Sequence, residues 1–335
     1  SYSQQAADGT LQNPSPYLDR LQLRVPATVA AAVGRGDRWQ AYATAATTTP
    51  VGPPPRPATA PWPRALQPTV WSPSLVQKLT ECPFAAWAHY ALRLRPPEPI
   101  DASPDNRDIG IALHELLATF CQRFGPVTEA NQAAAHTAWM ALLPNTLQRL
   151  QAPQLAALWG PRLTALGPVI IKALSAATAN GRQVQQTEFK LKHHWPANLT
   201  CQATLDRLDH SPTGAIILDY KTGSKLPTWA EVRHGRQPQL LLEAALYLAT
   251  HQGPLAGLEY WHLHPKRQDL VHAYPTPETL PDDVAAAQNY LQQLAAWLSQ
   301  EPPVPATPQG SSGLSLDTPC KQCPYQSMCG VQQWF

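Results

Sequence analysis

The order of helical and extended patterns along this sequence predicts an α/β fold, a mixed central sheet flanked by helices. Three observations lead there. Apolar residues recur at three- and four-residue steps through residues 72–179, the period of amphipathic helices. An alternating segment at residues 199–210, a turn, and the run at 215–221, apolar up to Leu218, follow. A helix, a strand and a further helix then close the pattern, which suits helices packed on a mixed sheet. The chain has 335 residues, 44% of them hydrophobic, enough to bury a full core in one large domain or two modest ones.

Taken in order, residues 1–49 are expected to be a helical remnant or the tail of a preceding domain. Weakly helical stretches occur at 27–33 and 39–46. Residues 50–70 form a Pro-rich linker by composition, with Pro53, Pro54, Pro55, Pro57, Pro61 and Pro63. The main domain is assigned to residues 71–335. Ser72 and Pro73 open a helix as N-cap and first helical residue. Leu75, Leu79, Cys82, Ala86 and Tyr90 give it one face, and Pro83 should disturb or split it. A second helix spans about 108–124. Residues 129–179 read as two or three helices broken at Pro144, Pro153 and Pro161. Strands are expected at 185–193, 199–210 and 215–221, then a helix at 237–250, a strand at 256–264 and a helix at 280–299. A second proline-rich run, 301–308, reads as extended linker. No internal repeat is visible.

The hairpin carries the chemistry. Ser211, Pro212, Thr213 and Gly214 are turn residues. If they form the loop, His210 pairs with Ala215, so Asp206 faces Asp219 and Thr204 faces Lys221. Asp219 and Lys221 are two apart and share a face of the sheet. Like charges opposite one another on adjacent strands are destabilising. A divalent cation between the two carboxylates would resolve that conflict. Two acids and a lysine on one face are the equipment of metal-assisted phosphodiester hydrolysis.

Formal net charge is only +2, which excludes binding of nucleic acid through bulk positive charge. Any such groove must use local pairs, for which Arg93 and Arg95, Lys190 and Lys192, Arg233 and Arg236, and Lys266 and Arg267 are candidates. No stretch is apolar and long enough to span a membrane, and no secretory signal is visible at the start. The first residue is Ser, as in a fragment of a longer protein. Trp71, Trp87 and Trp229 suit base stacking or, more simply, a core.

Of six cysteines, Cys320, Cys323 and Cys329 form Cys-x2-Cys-x5-Cys. Such spacing brings thiolates within reach of one metal centre. Cys82, before a proline at a helix break, is the candidate fourth ligand. Spacing alone does not separate zinc from an iron–sulfur cluster. Cys121 and Cys201 sit on apolar faces as core residues. His114 lies on the first turns of the second helix, and His114-Glu115 lacks the second histidine of a zinc-protease helix. Gln239, Glu243 and Tyr247 share a face of a later helix, and Glu188 and Lys190 precede the hairpin; each is a weak signal alone.

Together these pieces resemble the PD-(D/E)xK nuclease superfamily, and most closely its iron–sulfur type as found in the C-terminal nuclease domain of AddB-type subunits of bacterial AddAB/RecBCD helicase–nucleases. The resemblance rests on Ser72 to Leu75, Cys82 to Phe84, Gly110 to His114, Leu205 to Asp209, Leu218 to Gly223, Gln237 to Leu240 and the three terminal cysteines, all in the family's order. It implies a restriction-endonuclease-like core and a Mg²⁺-dependent deoxyribonuclease acting as an exonuclease, with Mn²⁺ as a substitute ion. It implies metal ligation by His114, Asp206, Asp219 and the backbone carbonyl of Tyr220, catalysis by Lys221, and a positioning role for Gln239. It further implies a [4Fe-4S] cluster on Cys82, Cys320, Cys323 and Cys329, clamping the two ends of the domain, in preference to Zn²⁺. DNA, an AddA-type partner subunit and the bacterial cytoplasm go with it. A free-standing CRISPR-associated type of exonuclease and a catalytically silent DNA-binding scaffold are the alternatives. Glu243 departs from the family's Gln-x3-Tyr pattern. No Gly-x4-Gly-Lys-[Ser/Thr] motif is present, so ATP hydrolysis is not expected.

Overall fold

A computed structural model describes residues 59–96, 106–150, 152–196, 198–264, 269–307, 310–311, 315–316 and 318–330. The expectations for residues 1–49, for the first part of the linker at 50–58, and for Lys266 and Arg267, lie outside the described residues.

The first described segment corrects part of the linker expectation. Strand β1 (Thr59–Pro61) pairs antiparallel with a short strand far along the chain, Ala60 opposite Val304. Trp62 beside it is fully buried. Prolines are tolerated here because a two-stranded ribbon has outward edges that need no ladder donor. Both ends of the domain are therefore tied together by segments whose composition reads as loop. Strand β2 (Val70–Trp71) follows.

Helix α1 (Pro73–Glu81) is capped by Ser72, whose Oγ accepts from the Leu75 amide. Helix α2 (Pro83–Tyr90) starts one residue later, so Pro83 splits the apolar pattern at Cys82. Three long helices come next: α3 (Asn106–Phe124), α4 (Gln132–Arg149) and α5 (Pro153–Ala179). Pro144 lies inside α4, and Pro161 and Pro168 lie inside α5, so the expected breaks at Pro144 and Pro161 do not occur. Only Pro153 marks a helix start. Tertiary packing overrides the local penalty. Trp139 and Leu143 of α4 meet Leu163, Leu166 and Ile170 of α5 in one buried cluster. Gly167 permits the close approach, because a Cβ there would lie 2.6 Å from the Trp139 ring.

The sheet is built from β3 (Gln183–Trp195), β4 (Leu199–Ser211), β5 (Gly214–Lys221), then, after the short helix α6 (Trp229–Arg233) and helix α7 (Gln239–Thr250), β6 (Leu255–His262) and β7 (Val271–Ala273). Helix α8 (Leu280–Ser299) and strand β8 (Pro303–Pro305), which pairs with β1 in a separate two-stranded sheet, come next, and two single turns, α9 (Thr318–Lys321) and α10 (Gln326–Cys329), follow. The strand order is β2-β4-β5-β6-β7, with β3 along the other edge of β4. Pairing is antiparallel for β3–β4, β4–β5 and β6–β7 and parallel for β2–β4 and β5–β6, a mixed sheet as expected.

The two faces of the sheet bury different clusters. Leu205, Ile217 and Leu258 pack with α1, α7 and α8. Leu218, Tyr220 and Trp261 pack with α3, α4 and α5. Alternation along β5 follows from its period of two, so Asp219 and Lys221 fall on the α7 side. The hairpin register is the expected one, with His210 opposite Ala215 and Arg207 opposite Leu218. The ladder extends to Ser211 and Gly214, leaving only Pro212 and Thr213 as the loop.

Candidate active site

The site forms where β4 and β5 part. Their ladder ends at Arg207 and Leu218, one step before Asp206 would sit opposite Asp219. The expected pairing of Asp206 with Asp219 and of Thr204 with Lys221 is thus replaced by a splay. The Tyr220 amide, released from the ladder, donates instead to Asp206 Oδ2 at 2.7 Å. Splaying the strands takes the two carboxylates out of direct opposition, while the charge of Asp206 still bears on Asp219.

A slip in strand alternation supplies the neighbouring residues. Phe189, Leu191 and Trp195 of β3 pack on the α7 side, yet Thr187 accepts a hydrogen bond from Gln122 of α3. Leu205 likewise lies on the α7 side, while Arg207 stacks on Trp261 on the other. The slip falls at Glu188, whose φ of 50° is left-handed, and at Asp206 beside it. Two consecutive β4 side chains, Asp206 and Arg207, therefore point to the α3 side.

His114 and Asp206 meet, as do Lys221, Asp219 and Gln239, whereas the expected cysteine ligands lie apart from them. His114 on α3 has Nδ1 3.2 Å from Asp206 Oδ1, and its Nε2 donates to the Tyr220 carbonyl at 3.0 Å. Lys221 Nζ stands 2.8 Å from Asp219 Oδ2 and donates to Gln239 Oε1 at 3.0 Å. Gln239 Nε2 in turn donates to Glu243 Oε1 at 3.0 Å. The Lys221–Asp219 contact is a charge contact without hydrogen-bond alignment, so the buried Asp219 Oδ2 has no hydrogen-bond partner.

The electrostatics follow from crowding acids in a partly dry place. Burial pushes Asp219 up to about 6, with Asp206 adding to the rise and Lys221 opposing it. Burial, Asp219 and Asp206 hold Glu243 well above the ordinary carboxylate range. Burial alone would lower His114, but its hydrogen bond to Asp206 and the charges of Asp206 and Asp219 raise it overall. Burial and the charge of Asp206 also raise Glu188.

Glu188 is the residue that sequence reasoning left as a weak signal. One ligand atom each from His114, Glu188 and Asp206 lies within 4.8 Å of the others. The donors suit a hard divalent cation: carboxylate oxygens, a backbone carbonyl and one imidazole. Asp219 Oδ2 is a buried acceptor lacking a hydrogen bond, the kind of atom a cation satisfies.

Beneath the site lies an ionic network to which no role was assigned from sequence. Arg207 and Asp209 are fully buried. Arg207 Nε and Nη2 bind Asp209 at 2.7 and 2.6 Å, and Arg182 Nε binds it at 2.5 Å. Arg182 also forks onto Glu259 at 2.7 and 2.9 Å. The signal was present, as three charges among the five residues Leu205 to Asp209, but the partners Arg182 and Glu259 are remote in sequence. Trp71 is buried and Trp229 stacks on Tyr260, so neither offers a free stacking face.

At the other end of the domain, Cys82 sits at the junction of α1 and α2, and it packs with Cys323 against Ala85, Ala88 and Tyr325. Burial raises the Cys323 thiol, and Cys82, Cys329 and Cys320 are close enough to raise it further. No disulfide joins the cysteines. Cys121 and Cys201 are buried core residues.

Carboxylates, a lysine and a histidine are thus gathered where β4 and β5 part in a mixed α/β sheet. Residues 70–330 match the model of the PD-(D/E)XK nuclease superfamily, and the chain belongs to that superfamily. Its members are typically nucleases that use a divalent metal such as Mg²⁺. An uncharacterized protein of Rickettsia bellii (strain RML369-C) is 27% identical over 188 residues, covering 54% of this chain and 22% of that protein. The uncharacterized protein RC0550 of Rickettsia conorii is 25% identical over 197 residues, with 54% and 22% covered. The chain thus spans about a fifth of the length of these curated relatives. A solved structure titled "Crystal structure of SSO0001" is similar at a TM-score of 0.33 and 13% identity, covering 79% of this chain and 87% of that one. Among the described residues no helix is long and apolar enough to cross a membrane.

Proposed function

We propose that this chain is a Mg²⁺-dependent deoxyribonuclease domain that degrades DNA from its ends, and that it serves an AddB-type subunit of a bacterial, cytoplasmic helicase–nuclease in double-strand-break repair. The observation that carries this reading is the buried Asp219 carboxylate, which lacks a hydrogen bond at Oδ2 and stands beside Lys221, Asp206 and His114. His114, Asp206, Asp219 and the Tyr220 carbonyl would hold Mg²⁺ or Mn²⁺, with Glu188 within reach of the same group. An ion held there would polarise the scissile phosphate and lower the pKa of an attacking water.

The chain's own residues do the rest. Lys221 brings positive charge to the place where the transferring phosphate gains negative charge, and its ammonium can orient the water. Gln239 fixes that ammonium by accepting one of its protons. Tyr220 bonds through its amide to Asp206 and through its carbonyl to His114, which locks the acid and the imidazole to the same peptide.

Cys82, Cys320, Cys323 and Cys329 would hold a [4Fe-4S] cluster; four thiols gathered from both ends of the domain suit one. It would act as a clamp on the fold. Assignment of 71–335 as the nuclease domain, with an AddA-type partner, extends this reading. The greater length of the Rickettsia relatives is in keeping with a module of a larger polypeptide.

The test compares end-labelled linear DNA with covalently closed circular DNA of the same sequence, under anaerobic conditions with Mg²⁺. Loss of the linear form alone is expected. Equal cleavage of the circle would refute attack from ends, and resistance of both would refute the deoxyribonuclease reading for this chain.

A further inference from the structure

The β3–β4 ribbon bears a second pattern that the chemistry above does not use. Beyond Glu188, the β3 residues Lys190, Lys192 and His194 stand exposed on the α3 side. The residues between them include Leu191, buried in the core, and Phe189, packed against it. Across the ladder, Thr204 is opposite Lys190, Gln202 is opposite Lys192 and Thr200 is opposite His194. His194 Nδ1 meets Thr200 Oγ1 at 2.8 Å. Among the described residues this face is polar, with Lys190, Lys192, His194 and Gln202 exposed and Thr200 and Thr204 half-buried.

The track has two defined ends. One is the acid site, because Glu188 and Asp206 lie between the pairs Thr187–Arg207 and Phe189–Leu205. The other is a groove of about 480 Å³ lined in part by Arg64, Thr69, His194, Asn198 and Thr200. At about 3.3 Å per strand residue, Glu188 to His194 spans about 20 Å. Lys190 and Lys192 form no ion pair among the described residues, so neither is neutralised by a carboxylate. A row of cations leading to a carboxylate site complements a phosphodiester chain whose reacting end needs the acids and whose remainder needs the lysines. Trp71 and Trp195 at the groove are buried, so the bases find no aromatic platform there.

We infer that a single DNA strand lies along this face, its phosphates on Lys190 and Lys192, its scissile end at Asp206 and Glu188, and its continuation toward the Arg64 groove. The inference rests on the nuclease reading for the direction of the strand and deepens it by naming the substrate path. Contact is through the backbone, so binding is indifferent to sequence and depends steeply on salt.

The test measures fluorescence anisotropy of a labelled oligo-dT strand in EDTA over a range of KCl concentrations. Wild type is compared with Lys190→Gln, Lys192→Gln and the double variant, whose melting curves serve as a folding control. Each substitution is expected to reduce the slope of log K against log salt by about 0.7, and the pair by about 1.4, which amounts to a roughly tenfold loss of affinity near 0.15 M salt. With Mg²⁺ and DNA below saturation, cleavage by the double variant should fall in step with its affinity. An unchanged slope overturns the inference, as does a loss confined to duplex DNA or a face that binds only protein. If wild type cleaves and Asp219→Ala does not, while the slopes stay equal, the path alone is wrong. If the slopes change but nothing is cleaved, the nuclease reading alone is wrong.

Discussion

Removing Asp209 should unfold this domain more readily than any single truncation on its surface. Asp209 is the carboxylate partner of the fully buried Arg207, to which it is bound by two hydrogen bonds at 2.7 and 2.6 Å. Among the described residues Arg207 otherwise reaches the Tyr220 hydroxyl, at 3.4 Å, and the face of Trp261. Arg182, by contrast, keeps the forked Glu259 carboxylate when Asp209 is lost. Asp209→Ala therefore leaves one buried guanidinium without a counter-charge, at a cost of about 3–5 kcal/mol. That is a large part of the roughly 5–15 kcal/mol that holds a typical domain together. In a domain of this size it corresponds to a fall in Tm of roughly 6–20 °C. Urea and thermal melts followed by circular dichroism read it. The double variant Asp209→Leu, Arg207→Met removes both charges and should melt near wild type, because burying apolar groups in place of a buried pair is close to neutral. A loss below about 1 kcal/mol for Asp209→Ala, or a double variant as weak as the single one, would refute the reasoning.

Other consequences are equally direct. Glu243 is buried, and its folded pKa is raised above the ordinary value, so folding takes up a proton and wild-type stability falls as pH rises above about 4.5. Glu243→Gln removes that dependence, by at most about 1.4 kcal/mol per pH unit, and its advantage over wild type should grow from pH 5 to pH 8 in melts. Glu243→Met should lower the cleavage rate through loss of the Gln239 anchor, whereas Glu243→Gln should retain it. Asp219 is raised to about 6, and metal binding requires its ionised form, so Mg²⁺ affinity measured by calorimetry should fall as pH drops through about 6. Cys82→Ser should lower the visible absorbance of anaerobically purified protein and its Tm, and unchanged values for both would sink the cluster reading.

Much of this fold was legible because its signals are local. Ser211 to Gly214 fix the hairpin register through turn chemistry, and the register places Asp219 and Lys221 on one face. Ser72 with Pro73, and Pro83 after Cys82, mark the helix starts as their backbone chemistry requires. The failures have a common cause in long-range packing. Pro144 and Pro161 stay inside helices because the α4–α5 contact around Trp139 and Gly167 outweighs local breakage. Residues 59–61 look like linker until their partner, Pro303–Pro305, is known.

The site divides in the same way. His114, Asp206, Asp219, Lys221 and Gln239 are recognisable by residue type and order, and they converge. The splay of β4 from β5 is not readable, because it depends on where a ladder stops. Glu188 is hidden for a related reason. Its place beside Asp206 depends on a left-handed backbone conformation in mid-strand, which a glutamate does not advertise. The Arg182–Asp209–Glu259 partnership joins residues 27 and 77 apart, beyond any local pattern.

The most direct measurement is degradation of end-labelled linear DNA with Mg²⁺, under anaerobic conditions, by wild type and Asp219→Ala at matched folding and matched DNA affinity. Cleavage by wild type, with loss of about two orders of magnitude or more in the variant, is the result predicted for a carboxylate at the centre of a metal-dependent site. Equal cleavage by both proteins would contradict the account.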